Sequence, residues 1–170
     1  MPCFWMSTWL FNMIREAEKA SNLKKETSKT IYTLGTSNRS TDEFFSLLKA
    51  FGIRGIADVR RFPRSTRFPH FSRENLEKEA RRREIVYCWL GDLLGGFRSG
   101  GYEAYRKQAA YLAGIGRVEA LARELSTVLI CAERLPWKCH RLQISRSLEE
   151  RGWEMVHIID EGRTWQPKGG

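Results

Sequence analysis

No apolar run in these 170 residues reaches the roughly 18 that a membrane-spanning helix needs, so no span is expected. Cysteine is scarce. Cys3, Cys88, Cys131 and Cys139 are too few and too scattered for a disulfide framework, and sparse thiols suit a reducing compartment. The apolar start MPCFWMSTWLFNMI lacks a basic leader and a small-residue cleavage site, so it is not read as a signal peptide and the expected location is cytoplasmic. Internal repeats, low-complexity tracts and C-x2-C knuckles are all missing. Acidic residues are in deficit: 20 Asp+Glu face 29 Lys+Arg, a formal charge of +9. Such a surplus favours DNA, RNA or a small anion as partner, although a plain basic surface has the same composition.

The length suits one domain with a proper core, and 42% hydrophobic and 12% aromatic residues are those of a globular chain. Residues 1–29 read as an extension, helical in its polar part REAEKASNLKKETSK. The domain itself spans 30–163, leaving a tail at 164–170. Apolar, β-branched runs at TIYTLG (30–35), IRGIADV (53–59), IVYCWL (85–90), TVLIC (127–131) and WEMVHIID (153–160) predict strands. Helical patterns lie between them. Ser40 with Glu43 forms a capping box for the first, and Phe44, Leu47, Leu48 and Phe51 share its apolar face, closed by Gly52. Ser72 opens a second helix, RENLEKEARRR. YEAYRKQAAYLA (102–113) and GRVEALAREL (116–125) read as two more, and LQISRSLEERG as the last. Alternation of this kind predicts an α/β fold with a mostly parallel sheet flanked by helices.

The reactive residues fall in the segments that follow the strands: SNR (37–39), DVRRFPRSTRFPHF (58–71), WLGDLLGG (89–96) and CAERLPWKCHR (131–141). In an open parallel sheet these loops gather at the carboxyl edge, where ligands bind. One shared cleft is therefore expected. In the second loop Arg60, Arg61, Arg64 and Arg67 alternate with Phe62, Phe68 and Phe71. Guanidinium groups clamp phosphate and aromatic faces stack on bases; the plain alternative is a solvated basic loop with its rings in the core. Asp58 is either a catalytic carboxylate or a lock for Arg60 or Arg61.

In the fourth loop Glu133 is an acid among arginines, suited to activating water; its alternative is an ion pair with Arg134 or Arg141. Cys131 is a candidate nucleophile or a buried structural thiol. Cys131, Cys139 and His140 offer zinc-ligand types, but adjacent ligands are geometrically awkward. No resident metal or cofactor is expected, with a divalent ion as the open alternative. His140 and Arg141 fall at the start of the next helix, a place that suits an anion. Trp137 is a stacking platform or a loop anchor. Asn38, Arg39, Arg60, Arg61, His70, Trp137, Cys139, His140 and Arg141 form the candidate binding set, with Glu133, Asp58 and Cys131 as candidate catalytic groups.

The order TLGTSNRS, ADVRRFPRS, PHFS, LGG and CAERLPWKCHR resembles the family of domain of unknown function 488 over about residues 30–160. The resemblance implies a compact α/β domain with a pocket built from those motifs, and brings no reaction with it. The layout also resembles, more distantly, rhodanese-like domains: a strand ending DVR, a later strand ending in Cys, then a helix and strand. The departure is the bulky loop with Pro136 and Trp137 after Cys131, which disfavours persulfide chemistry. The leading functional expectation is hydrolysis of a glycosidic or phosphodiester bond in DNA or RNA. The alternatives are a non-catalytic anion- or nucleic-acid-binding module and a cysteine-dependent, sulfur-transfer-like enzyme.

Overall fold

The computed structural model describes residues 29–167. Six strands, β1 (Thr30–Gly35), β2 (Gly55–Asp58), β3 (Val86–Trp89), β4 (Thr127–Cys131), β5 (Glu154–Asp160) and β6 (Arg163–Trp165), form a sheet in the order β3-β2-β4-β1-β5-β6. The first five run parallel, and β6 turns back antiparallel on β5. The central strands β2 and β4 are buried at every position, which is what a sheet covered on both faces requires.

Strand periodicity sorts the core into two layers. Val128 and Ile130 of β4 face one layer with Phe44 and Leu48 of α1 (Thr41–Ala50) and Leu76 and Ala80 of α2 (Arg73–Arg82). Leu129 and Cys131 face the other, with Tyr111, Ile115 and Val118 of α5 (Ala109–Glu124) and Ile144 and Leu148 of α6 (Arg141–Glu149). Two single-turn helices, α3 (Gly91–Leu94) and α4 (Tyr102–Tyr105), precede α5. The result is an α/β domain with a mostly parallel sheet between helices, as expected.

Local rules set the helix starts. Ser40 Oγ accepts from Glu43 N at 3.1 Å and the Glu43 carboxylate accepts from Ser40 N at 2.6 Å, which satisfies two donors at the amino end of α1. Ser72 Oγ accepts from Asn75 N at 3.4 Å and caps α2.

Two elements differ from the sequence expectation. The helical patterns at 102–113 and 116–125 are broken at 106–108 instead of at the glycines, and Gly114 and Gly116 lie inside α5. Gly114 is there for contact: a Cβ would stand 2.7 Å from Leu94 Cγ and Cδ2. The second difference is β6, where RTW pairs with the end of β5 and sets Trp165 5.2 Å from the His157 ring. The helical extension expected over 1–29 lies, apart from Lys29, outside the described residues. Among the described residues no helix is long and apolar enough to cross a membrane.

Candidate active site

All five parallel strands point their carboxyl ends the same way, and the loops after β1, β2, β3 and β4 meet there around a cleft of about 780 Å³. Asn38, Arg60, Arg61, Cys131, Glu133, Cys139 and His140 all line it. The first and last walls are held by an extension of the β1/β4 ladder: Thr36 N donates to Cys131 O at 2.8 Å and Ser37 N to Ala132 O at 2.9 Å. The chains run so close that a Cβ on Gly35 would stand 2.1 Å from Glu133 O. Glycine is required there.

Asp58 and Arg60 form a closed unit beneath the cleft. Asp58 is fully buried, and its carboxylate accepts from Arg60 Nε at 2.9 Å, Arg60 Nη2 at 2.5 Å, Arg60 N at 3.0 Å and Tyr87 Oη at 2.6 Å. Arg60 Nη1 donates to Phe71 O at 2.7 Å. Every acceptor site of the carboxylate faces a protein donor, so Asp58 has the geometry of the lock. Arg61 ties two loops together through the carbonyls of Gly96 and Phe97.

The charge free to meet a ligand comes from elsewhere. Arg64, Arg67 and Lys138 are exposed, line the cleft and form no ion pair among the described residues. Phe62 and Phe97, 70% and 89% exposed, stand on the same rim. Glu133 is exposed in the wall with no hydrogen bond or ion pair among the described residues. Arg64, Arg67, Lys138 and Phe97 were not in the candidate set; in sequence Arg64 and Arg67 look no different from Arg60 and Arg61, and only burial separates them.

Several expected site residues face other partners. Arg39 is buried and donates to Gly35 O at 3.1 Å, to Ile159 O, and to Asp160 Oδ1 at 3.0 Å. Arg134 donates to the same Asp160 oxygen at 2.5 Å. The hydrogen bond from Arg134, helped by Arg39 and opposed by burial, holds the Asp160 carboxyl below its ordinary range. One carboxylate at the end of β5 thus secures both the first and the fourth loop. His70 pairs with Arg39 O at 2.8 Å, and Trp137 rests on Trp165 with ring centroids 5.0 Å apart. Neither lines the cleft.

The cleft floor is built of sulfur. Cys139 Sγ donates to Cys131 Sγ at 2.8 Å, and Arg141 N donates to Cys139 Sγ at 3.4 Å. His140 sits with Nδ1 3.7 Å from Cys139 Sγ and Nε2 3.1 Å from Val59 O. A carbonyl only accepts, so Nε2 carries a proton, and Nδ1 is an acceptor whenever the ring is neutral. The hydrogen bond from Cys139, aided by His140 and opposed by burial, draws the Cys131 thiol well below its ordinary range. The Cys139 thiol is pushed up by the bond it gives and by its own burial.

Beside them Arg141 is fully buried. Its Nη2 donates to Arg134 O at 2.8 Å, while Nε and Nη1 have no hydrogen-bond partner among the described residues. Burying a guanidinium without a counter-charge costs on the order of several kcal/mol. Burial lowers the Arg141 pKa, and Cys139 and Cys131, followed by Glu133, are the acidic groups that oppose this, so the thiol pair is the main group placed to balance its charge. Cys131, Cys139 and His140 hold three donor atoms within 4.8 Å. Two thiolates on one tetrahedral zinc stand about 3.7 Å apart, whereas these sulfurs touch. As placed, they form a sulfur pair and not a zinc pocket.

Fold and site together define an α/β domain with a basic, thiol-floored cleft at the carboxyl edge of a parallel sheet. The chain belongs to the family described as domain of unknown function DUF488, whose match covers residues 40–148 and contains the loops after β2, β3 and β4. No curated protein and no solved structure matches the chain, so the likeness of layout to rhodanese-like domains has no match behind it.

Proposed function

We propose that the protein is an enzyme that hydrolyses a glycosidic or phosphodiester bond in a nucleic acid or nucleotide. One observation carries this reading: cations and exposed aromatic rings line the cleft together with Glu133, a carboxylate with no hydrogen bond or ion pair among the described residues. Arg64, Arg67 and Lys138 would take phosphates, and Phe62 and Phe97 would stack on bases, each stacked base being worth about 1–3 kcal/mol. Glu133 would activate the attacking water, as a positioned general base worth about 10²–10⁴-fold in rate. Arg60, Arg61 and Asp58 keep the loop that carries these groups in place.

The test is a cleavage screen on single- and double-stranded DNA and RNA, with normal and damaged bases, comparing wild type with Glu133→Gln. Glu133 is exposed and its side chain packs no core, so the variant folds. The expected result is binding retained and turnover lost. Glycosidic cleavage leaves an alkali-labile abasic site, whereas phosphodiester cleavage leaves a break directly. Binding without turnover by either protein would make the domain a recognition module. Turnover unchanged in Glu133→Gln would remove Glu133 from the chemistry.

A further inference from the structure

The floor of the cleft carries a second chemistry that makes no use of Glu133. We propose that Cys131 and Cys139 form an exchange-competent dithiol: Cys131 attacks a low-molecular-weight disulfide, and Cys139 resolves the mixed disulfide to leave an internal Cys131–Cys139 bridge. Four observations converge on it. The two sulfurs are 2.8 Å apart, so a bond of about 2.05 Å needs little movement. Cys131 is fixed at the end of β4, while Cys139 follows the single turn Pro136–Lys138 on the loop side. Both residues line the cleft, which gives a disulfide reagent a way in. The fourth is Arg141, whose buried guanidinium has two unpartnered donor nitrogens next to a pair of thiols.

The roles follow from the asymmetry of the pair. Cys131 receives the hydrogen bond and carries the negative charge beside Arg141, so it is the attacking sulfur. Cys139 holds its proton until the first exchange removes the charge from Cys131. His140 Nδ1, 3.7 Å away, then takes that proton.

In the first step the Cys131 thiolate bonds to one sulfur of the reagent RSSR, its S–S bond breaks, and RS⁻ leaves with a proton from solvent. In the second the Cys139 sulfur displaces the remaining RS⁻ from Cys131. Two protein thiols are oxidised, and one disulfide is reduced to two RSH.

Full-length protein, reduced and freed of reductant, is mixed with oxidised glutathione, quenched with acid and iodoacetamide, and mapped by peptide mass. The wild type should pass through a short-lived glutathione adduct on Cys131 to the internal bridge, with two glutathiones released per chain. Cys139→Ser should trap the adduct on Cys131, and Cys131→Ser should yield neither adduct nor bridge at Cys139. Cys3 and Cys88 serve as internal comparisons. If either serine variant fails to fold, the order of adduct and bridge in the wild type decides alone. Adducts spread evenly over all four cysteines, a stable Cys131 adduct in the wild type, or no exchange at all would overturn the proposal. So would stoichiometric Zn²⁺ uptake by the reduced protein that blocks exchange, because the pair would then be a metal site.

Discussion

Removing the Asp58 carboxylate strips Arg60 of its only anionic partner among the described residues and leaves the Tyr87 hydroxyl without its acceptor. Arg60 is only 8% exposed, and the carboxylate is fully buried, so solvent cannot take over. Breaking one side of a buried pair costs about 3–5 kcal/mol, because the other charge stays buried. A domain of this size has about 5–15 kcal/mol in all, so Asp58→Ala should lose about a fifth of it or more. At about 3 °C per kcal/mol, the melting temperature should fall by about 10–15 °C, and the urea midpoint should drop at unchanged slope. The double variant Asp58→Ala/Arg60→Met removes both charges and should recover a substantial part of that loss, giving a coupling of at least about 1 kcal/mol in the cycle. A single-variant loss under about 1 kcal/mol, or losses that simply add, would refute the lock. Asp58 would then be available for the catalytic role its place at the strand end also suggests.

Three other outcomes follow from the same contacts. His157 is buried, with Nδ1 on the Thr33 hydroxyl at 2.7 Å, and burial together with the nearby Arg141 lowers its pKa to about 4. The unfolded chain takes up this proton near pH 6.5, so stability should hold above neutrality and decline from about pH 6.5 down to 4; a flat urea midpoint across that window would contradict it. Gly35→Ala puts a methyl 2.1 Å from Glu133 O, and should cost about 1–3 kcal/mol while weakening ligand binding, read by chemical denaturation and titration. Replacing Arg64, Arg67 and Lys138 together by Ala should flatten the salt dependence of single-strand binding by about 2 units in log–log slope, at about 0.7 per contact, with unchanged melting.

The convergence of four distant segments was legible because parallel strands leave their following loops on one edge, whatever the side chains. Asn38, Arg60, Arg61, Cys131, Glu133, Cys139 and His140 do line it, but which arginines are free to meet a ligand was not legible. Arg39, Arg60 and Arg64 are alike on the page, yet Asp160 and Asp58 claim the first two and no carboxylate among the described residues claims the third. A hydrogen-bond partner 121 residues away leaves no local pattern. Phe97 sits in GGFRSGG, where no periodicity marks a side, and β6 is three residues long, too short for any alternation to register. The glycines of α5 misled for a different reason: in isolation glycine weakens a helix, but Gly114 lets α5 approach Leu94. The contact of Cys131 with Cys139 depends on the turn at Pro136–Lys138 folding the chain back on itself, which an eight-residue spacing does not specify.

Asp160 deserves its place behind the cleft. By holding Arg39 and Arg134 on one oxygen it pins two neighbouring loops to the end of β5 from outside the cleft lining. Neutralising that one side chain would release two guanidinium groups at once, and one of them, Arg134, lines the cleft. A residue outside the lining therefore governs how much positive charge the cleft presents.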